Sequence, residues 1–246
     1  MTPTRVPEVT VVVLASRGGA ALARVLSGVA WAGERLVLDP AGRVNPSAMP
    51  PDVRCVRGAA DLGRGGAPWI LLVREDETVS EALVGAVAQA VTAPTGPTAY
   101  RVRREVEGFG ARLRLGLAPV RLALRAETRF RLRTDLSPEL AGGSGEPGVL
   151  EPPLVIGGAV SLAGAVEDLE AYGAALAALL RAGAVAPSAC AAVVAAAIAA
   201  ARLVCARGTT TRPFSRWILA VLAGYRALVA YAKLWELGLV EASTRG

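Results

Sequence analysis

Four consecutive charged residues, Arg74-Glu75-Asp76-Glu77, hold the densest chemistry in the sequence. They end a short apolar run, Trp69-Ile70-Leu71-Leu72-Val73, which has the length and composition of a strand buried on both faces. In an open α/β sheet, ligands collect at the carboxyl ends of the strands. Acidic side chains at that edge can hold a divalent cation through oxygen, and the cation can carry a phosphorylated substrate. The competing reading is structural: Glu75, Asp76 and Glu77 cap the next helix and favour its positive end. Asp39 has a comparable placement, closing the apolar stretch Arg35–Asp39 just before Pro40.

The elements that must position these groups read off the pattern. Glu8–Ala15 is a buried first strand, Ser16-Arg17-Gly18-Gly19 a tight turn, and Ala20–Ala30 a helix with Leu22, Val25, Leu26 and Val29 at helical spacing. Arg35–Asp39 and Val53–Arg57 follow as strands, then the Trp69 strand, then a helix from Ser80 to about Val91. Short connections between such elements predict an α/β fold, a mostly parallel sheet covered by helices. Gly63-Arg64-Gly65-Gly66 precedes a strand instead of following one, so it is a loop and not a dinucleotide-binding fingerprint.

Composition removes several mechanisms. The chain of 246 residues contains no histidine, which excludes Ser-His-Asp and Cys-His catalysis and zinc sites built on imidazole. Cys55, Cys190 and Cys205 are odd in number and lack CxxC spacing, which predicts reduced thiols in a cytoplasmic setting. MTPTRVPEV has no apolar core of a secretory signal. The formal charge is +6, almost all of it arginine, since Lys233 is the only lysine, and such an excess suits anionic partners.

Tyr100–Arg104 and Arg121–Arg133 alternate apolar and basic residues, which predicts half-exposed strands, the second stretch forming a hairpin that turns near Glu127-Thr128 with its arginines on a solvated face. Little aromatic residue is interleaved, so nucleic acid is not expected as a partner. Ser137–Pro153 is rich in Gly and Pro and reads as a linker or mobile loop. The remainder is helical. Val166–Ala182 is amphipathic, and Ala182–Ala201 is uncharged but interrupted by Pro187, so a membrane span there is not favoured. Along Phe214–Leu237, Arg216, Arg226, Lys233 and Glu236 fall within about 160° of one another, with apolar residues elsewhere. That pattern suits a helix lying at a bilayer surface, or one packed on its own domain or on a partner subunit.

Three stretches resemble the bacterial family 2 glycosyltransferases, in particular the branch of lipopolysaccharide core glucosyltransferases. Val9–Asp39, VTVVVLASRGGAALARVLSGVAWAGERLVLD, is similar to the family's first strand, helix and second strand ending in aspartate. Trp69–Leu83, WILLVREDETVSEAL, is similar to its W-(V/I)-L-x-L-D-A-D-E-x-(V/L)-S-x-x-L segment, and WILAVLAGYRALVAYAKLWEL to the branch's closing helix. Glu167–Tyr172 resembles its L-E-D-Y segment. The resemblance implies a GT-A fold, Rossmann-like, with a nucleotide-sugar and acceptor domain over 1–156 and a C-terminal helical, membrane-associating region over 157–246. It implies a cytoplasmic enzyme peripheral at the inner membrane. Such an enzyme moves a sugar, with inversion, from a nucleotide-sugar donor to a saccharide or lipid-linked acceptor of the cell envelope.

Carried over residue by residue, the resemblance makes Ser16, Asp39, Arg74 and Asp76 donor-binding. Asp76 and Glu77 become holders of a divalent metal (Mg or Mn), and Glu139, counted back from Pro153-Leu154-Val155, the base. The sequence departs from the pattern where Arg74 replaces the first aspartate of D-x-D, where Ser16–Ala20 lacks the family's asparagine and acids, and where no histidine matches its V-H-E. Arg74 can pair directly with a diphosphate, giving a metal-independent transferase. Alternatively the chain is a catalytically inactive relative acting as a binding or scaffold subunit.

Overall fold

The computed structural model describes residues 5–63, 66–115, 119–143, 145–157, 161–210 and 213–245. Four parallel strands open the fold: β1 (Val6–Leu14), β2 (Ala32–Leu38), β3 (Val53–Val56) and β4 (Trp69–Arg74), in spatial order β3-β2-β1-β4. Helix α1 (Gly19–Gly28) joins β1 to β2. The two-residue strand β5 (Glu77–Thr78) leads from β4 into α2 (Glu81–Thr92), whose first turn is capped by Ser80 Oγ accepting from the Leu83 N–H at 3.2 Å. Leu14 pairs Leu38 on one side and Arg74 on the other, so the carboxyl ends of β1, β2 and β4 are level.

Beyond β4 the sheet becomes mixed. It continues through β6 (Ala99–Gly108), β7 (Ala111–Arg114) and β8 (Val120–Leu124), with β8 antiparallel to both β4 and β6. Strands β9 (Thr128–Leu132) and β10 (Pro138–Gly142) form a separate two-stranded sheet. Strand β11 (Gly148–Gly157) returns parallel to β6. Helices α3 (Leu162–Ala182) and α4 (Ala189–Val204), strand β12 (Arg207–Thr210) on the β7 edge, and α5 (Pro213–Arg245) complete the described chain.

Side-chain alternation along the buried strands builds two cores. Val11, Val13, Leu71 and Val73 face α1 and α2, where Leu22, Val25, Leu83 and Val87 meet them. Val12, Leu14, Ile70 and Leu72 face the other way, against Tyr172 and Leu176 of α3, Ala195 of α4, and Ala227 and Leu234 of α5. The C-terminal helices thus form the second covering layer of the sheet.

Several expectations are corrected. The stretch Arg121–Arg133 is no hairpin: β8 is an interior strand between β4 and β6, and β9 pairs β10 instead. Arg121 lies wholly inside, while Arg129 and Arg131 on β9 are exposed as a solvated ladder requires. Period two reports alternation, and it does not report whether the polar face meets water or a buried carboxylate. The Gly- and Pro-rich stretch over 137–153 holds β10 and the first half of β11 instead of a linker, with Ser144 outside the described residues. Pro152 and Pro153 lack the N–H a ladder needs, and the β6–β11 register shifts between Leu150 and Leu154, where they fall. The uncharged run over 182–201 is divided between α3 and α4 at the turn containing Pro187. The 16 residues of α4 span about 24 Å, short of a bilayer core. Of the glycine-rich loop, Arg64 and Gly65 lie outside the described residues.

Candidate active site

At the carboxyl edge of β1 and β4 a cavity of about 770 Å³ opens between the β1–α1 turn, the end of β4, strand β6 and helices α3, α4 and α5. Ser16, Arg74, Asp76 and Glu77 line it, whereas Asp39 and Glu139 do not. Glu75, first read with its neighbours as a cap for α2, turns the opposite way. Its carboxylate accepts from the backbone N–H groups of Ser16 (2.7 Å), Arg17 (3.0 Å) and Gly18 (3.3 Å) and from the Ser16 hydroxyl (3.0 Å). Gly18 and Gly19 both have positive φ, at 76° and 64°, which the tight turn needs to present those amides together. Glu75 therefore holds the turn that begins α1, and Ser80 is left to cap α2.

Glu77 is enclosed completely. Its Oε1 lies 3.2 Å from Arg121 Nη2 and 3.1 Å from Arg104 Nε, and its Oε2 accepts from the Arg74 N–H at 2.9 Å. Burial alone would raise its pKa, but Arg121 first, then Arg104 and Arg74, outweigh that and hold it at about 2. Asp76 pairs through Oδ2 with the Arg74 guanidinium, and its Oδ1 is buried with no partner.

The guanidiniums of the wall outnumber these carboxylates. Arg74 lies over the Tyr172 ring at 4.3 Å, and Arg226 from α5 stands 5.3 Å from the centroid of the same ring. Arg74 Nε and Nη1, Arg226 Nε and the Tyr172 hydroxyl are all buried and unpartnered. Burial and the neighbouring Arg74 push the Arg226 pKa down to about 10, so it remains a cation at neutral pH. Three arginines on the lining (Arg74, Arg104, Arg226) and Arg121 behind it face three acids (Glu75, Asp76, Glu77), which leaves one positive charge in this part of the wall. Two further ion pairs, Arg17 with Asp168 and Arg202 with Asp135, cancel at the rim. A buried donor without an acceptor costs about 1–3 kcal/mol, more when charged, so the wall is complementary to an anion.

The same observations test the fit of a divalent cation. One Glu77 oxygen is spent on Arg121 and Arg104 and the other on the Arg74 backbone N–H, one Asp76 oxygen is spent on Arg74, and arginine surrounds the pair. Among the described residues no group of three or more acidic or thiol side chains gathers as metal ligands would. The donor set present does not fit a metal.

Two expected site residues serve the scaffold in this conformation. Asp39 accepts from the N–H groups of Arg43 (3.1 Å) and Val44 (2.8 Å) and is buried, fixing the loop after β2. Glu139 pairs with Arg131 (2.6 Å) and Arg133 (3.2 Å) within the β9–β10 sheet. Asp39→Ala is expected to cost about 1–3 kcal/mol in urea-induced unfolding, because the buried Val44 N–H and the part-buried Arg43 N–H lose their acceptor, and to leave anion affinity unchanged.

Sequence reading missed Arg104 and Tyr172 as wall residues and Arg121 behind them, and it placed Arg226 on a cationic stripe of a helix lying at a bilayer or packed on its own domain. The structure turns two residues of that stripe inward and packs the helix on its own domain, while Glu236 stays exposed. Arg226 stacks inward on Tyr172 and Arg216 donates to the Val204 carbonyl at 3.3 Å, while Trp217, Val221, Tyr225 and Trp235 face outward. The available signal was an arginine isolated in an apolar run, in VRLAL and in GYRALV, where an unpaired charge is too costly to leave buried. No family model and no curated protein matches this chain.

Proposed function

We propose that this chain is a family 2 glycosyltransferase-like protein of the GT-A type, acting on cell-envelope glycans at the cytoplasmic face of the inner membrane. Its cavity takes the diphosphate of a nucleotide-sugar donor without a metal ion. The observation that carries the reading is the set of buried, unpartnered guanidinium donors on Arg74 and Arg226 beside Asp76, at the strand end where the resembled family keeps D-x-D. Arginine matches diphosphate oxygens bidentately and supplies the charge that a divalent ion otherwise brings. In transfer, the acceptor hydroxyl attacks the anomeric carbon from the opposite side with inversion, and the bond from that carbon to the diphosphate oxygen breaks. Arg74 and Arg226 hold the departing diphosphate, and the hydroxyl proton passes to water in the open cavity. Calorimetric titration with UDP and UDP-sugars tests this. Binding that is unchanged by EDTA or added Mn²⁺ is expected, and absence of binding for every nucleoside diphosphate and its sugars overturns it.

A second reading, a binding or scaffold subunit without turnover, is favoured by one specific observation. Asp39, Glu77 and Glu139, three of the carboxylates expected to do chemistry, are tied up inside the protein. Donor binding without sugar transfer to any envelope acceptor distinguishes it from the first.

The membrane assignment is supported by α5. It is apolar over Phe214–Val240 and long enough to cross a bilayer by length and composition, but its inner face is committed to α3 and α4. Phe214, Trp217, Val221, Tyr225, Leu228 and Trp235 fall within about 80° of one another on the outer face, all exposed. That stripe suits a helix lying in the interface plane. Trp217→Ser with Trp235→Ser is expected to lower partitioning onto anionic lipid vesicles about tenfold or more, measured by co-sedimentation, with folding unchanged because both rings are already exposed. Equal partitioning of the double variant refutes the assignment.

A further inference from the structure

We infer that the first two turns of α3, over 162–170, are a lid on the cavity, latched across its mouth by Arg17, and that a nucleotide enters when this end of the helix frays. The lid rests on the reading above only for the identity of what enters, a nucleoside diphosphate or its sugar.

The two halves of α3 are held differently. Over 171–180 every residue but Ala174 and Ala178 is buried, and Tyr172, Leu176 and Leu180 pack against the sheet and α5. Gly173 lets α5 come so close that a Cβ there would lie 2.7 Å from Val229 Cγ1. Over 162–170 only Ala165 is buried. Ala165, Asp168, Leu169 and Tyr172 fall within about 100° of one another, and that face lines the cavity. Ala163, Glu167 and Glu170 on the opposite face, and Leu162 at the helix head, are exposed. The first half thus spans the cavity with little packed beneath it, and a helix end with few apolar contacts opens locally at small cost.

Arg17 supplies the hold that packing does not. It pairs with Asp168 and stands 4.0 Å from Glu167, joining the second turn of α3 to the β1–α1 turn on the other side of the mouth. That turn is a fixed post, because Glu75 accepts the Ser16, Arg17 and Gly18 N–H groups. The helix end is therefore the part that moves. The Arg17, Asp168 and Glu167 side chains are 45%, 56% and 72% exposed, so the pair is worth little and is screened by salt. A latch has to be weak in this way. The fully buried pair of Glu77 with Arg121 has no such freedom to part.

Hydrogen exchange of the full chain without ligand, followed by mass spectrometry, tests the lid. Amides over 165–170 are expected to exchange at least about tenfold faster than those over 173–180, after correction for intrinsic rates. Asp168→Asn and Arg17→Gln each break the latch, and circular dichroism establishes that both are folded. Each is expected to speed exchange over 165–170 by about twofold to fivefold, the worth of one exposed pair, with 173–180 unchanged. Raising NaCl from about 0.05 M to about 0.5 M is expected to do the same to wild type and much less to either variant. Entry is read by stopped-flow fluorescence with N-methylanthraniloyl-UDP. Exchange and association both count the open form, so association quickens by the factor seen in exchange. The two variants change the charge at the mouth in opposite directions, so the factor common to both is the latch and their difference is electrostatic steering. Equal protection of the two halves of α3, or exchange unmoved by both variants, overturns the lid. Faster exchange without faster association overturns its role in entry. No binding of the labelled UDP to wild type or variants, with the exchange pattern as expected, leaves the lid standing and removes the diphosphate reading alone.

Discussion

Glu77→Ala is expected to be the most destabilising single change in the site, by about 3–5 kcal/mol in urea unfolding, a large share of the 5–15 kcal/mol typical of a domain. The carboxylate is fully buried and sits against Arg121, Arg104 and the Arg74 backbone. Its removal leaves Arg121, itself fully buried with Nε already unpartnered, without its counter-charge. Glu77→Gln keeps the shape and an acceptor but not the charge, so it falls between alanine and wild type. A loss below about 1 kcal/mol for alanine contradicts the ion cluster. The same group sets an acid limit. Its pKa in the folded protein is about 2 against an ordinary 4.5, so the carboxylate's contribution is fully present above pH 4.5 and disappears as pH falls through about 2. The Glu77→Gln variant is expected to lose less stability than wild type across that window.

Arg226→Gln and Arg74→Gln are expected to weaken pyrophosphate and UDP binding by about tenfold to a hundredfold each, the equivalent of one or two charge-assisted hydrogen bonds. The two differ in stability. Arg226 stacks on Tyr172 without a carboxylate of its own, so its removal relieves repulsion with Arg74 as well as losing a donor, and folding changes little. Arg74 holds Asp76 through Oδ2, and its loss leaves that partly exposed carboxylate without a cation, so Arg74→Gln also destabilises. Wild-type affinity in Arg226→Gln places the anion elsewhere.

The first half of the fold was legible because periodicity and punctuation agree there. β1, β2, β3, β4, α1 and α2 fall within a few residues of where apolar runs, Gly18-Gly19, Pro40 and Ser80 put them. The second half was less so. Pro152 and Pro153 argue against a strand by propensity, and only pairing with β6 on one side and Thr78 on the other makes β11 a strand around them. The site was legible as a location. The strand end at Arg74–Glu77 does line the cavity, but the partners that determine what those groups do come from far along the chain. Arg121 reaches Glu77 across 44 residues, and Glu75 reaches Ser16 across 59. No local pattern distinguishes a carboxylate waiting for a ligand from one already held by arginine.

Placing Arg226 opposite Arg74 on a single tyrosine has a consequence for biosynthesis. α5 is the last described helix to leave the ribosome, yet it closes the wall that shelters the charged cluster and completes the layer over Val12, Leu14 and Leu72. A nascent chain that has emerged only through α4 shows that apolar sheet face and its unmatched charges to water. Native assembly therefore waits for α5 to be synthesised, and over that interval the unfinished layer is exposed to aggregation.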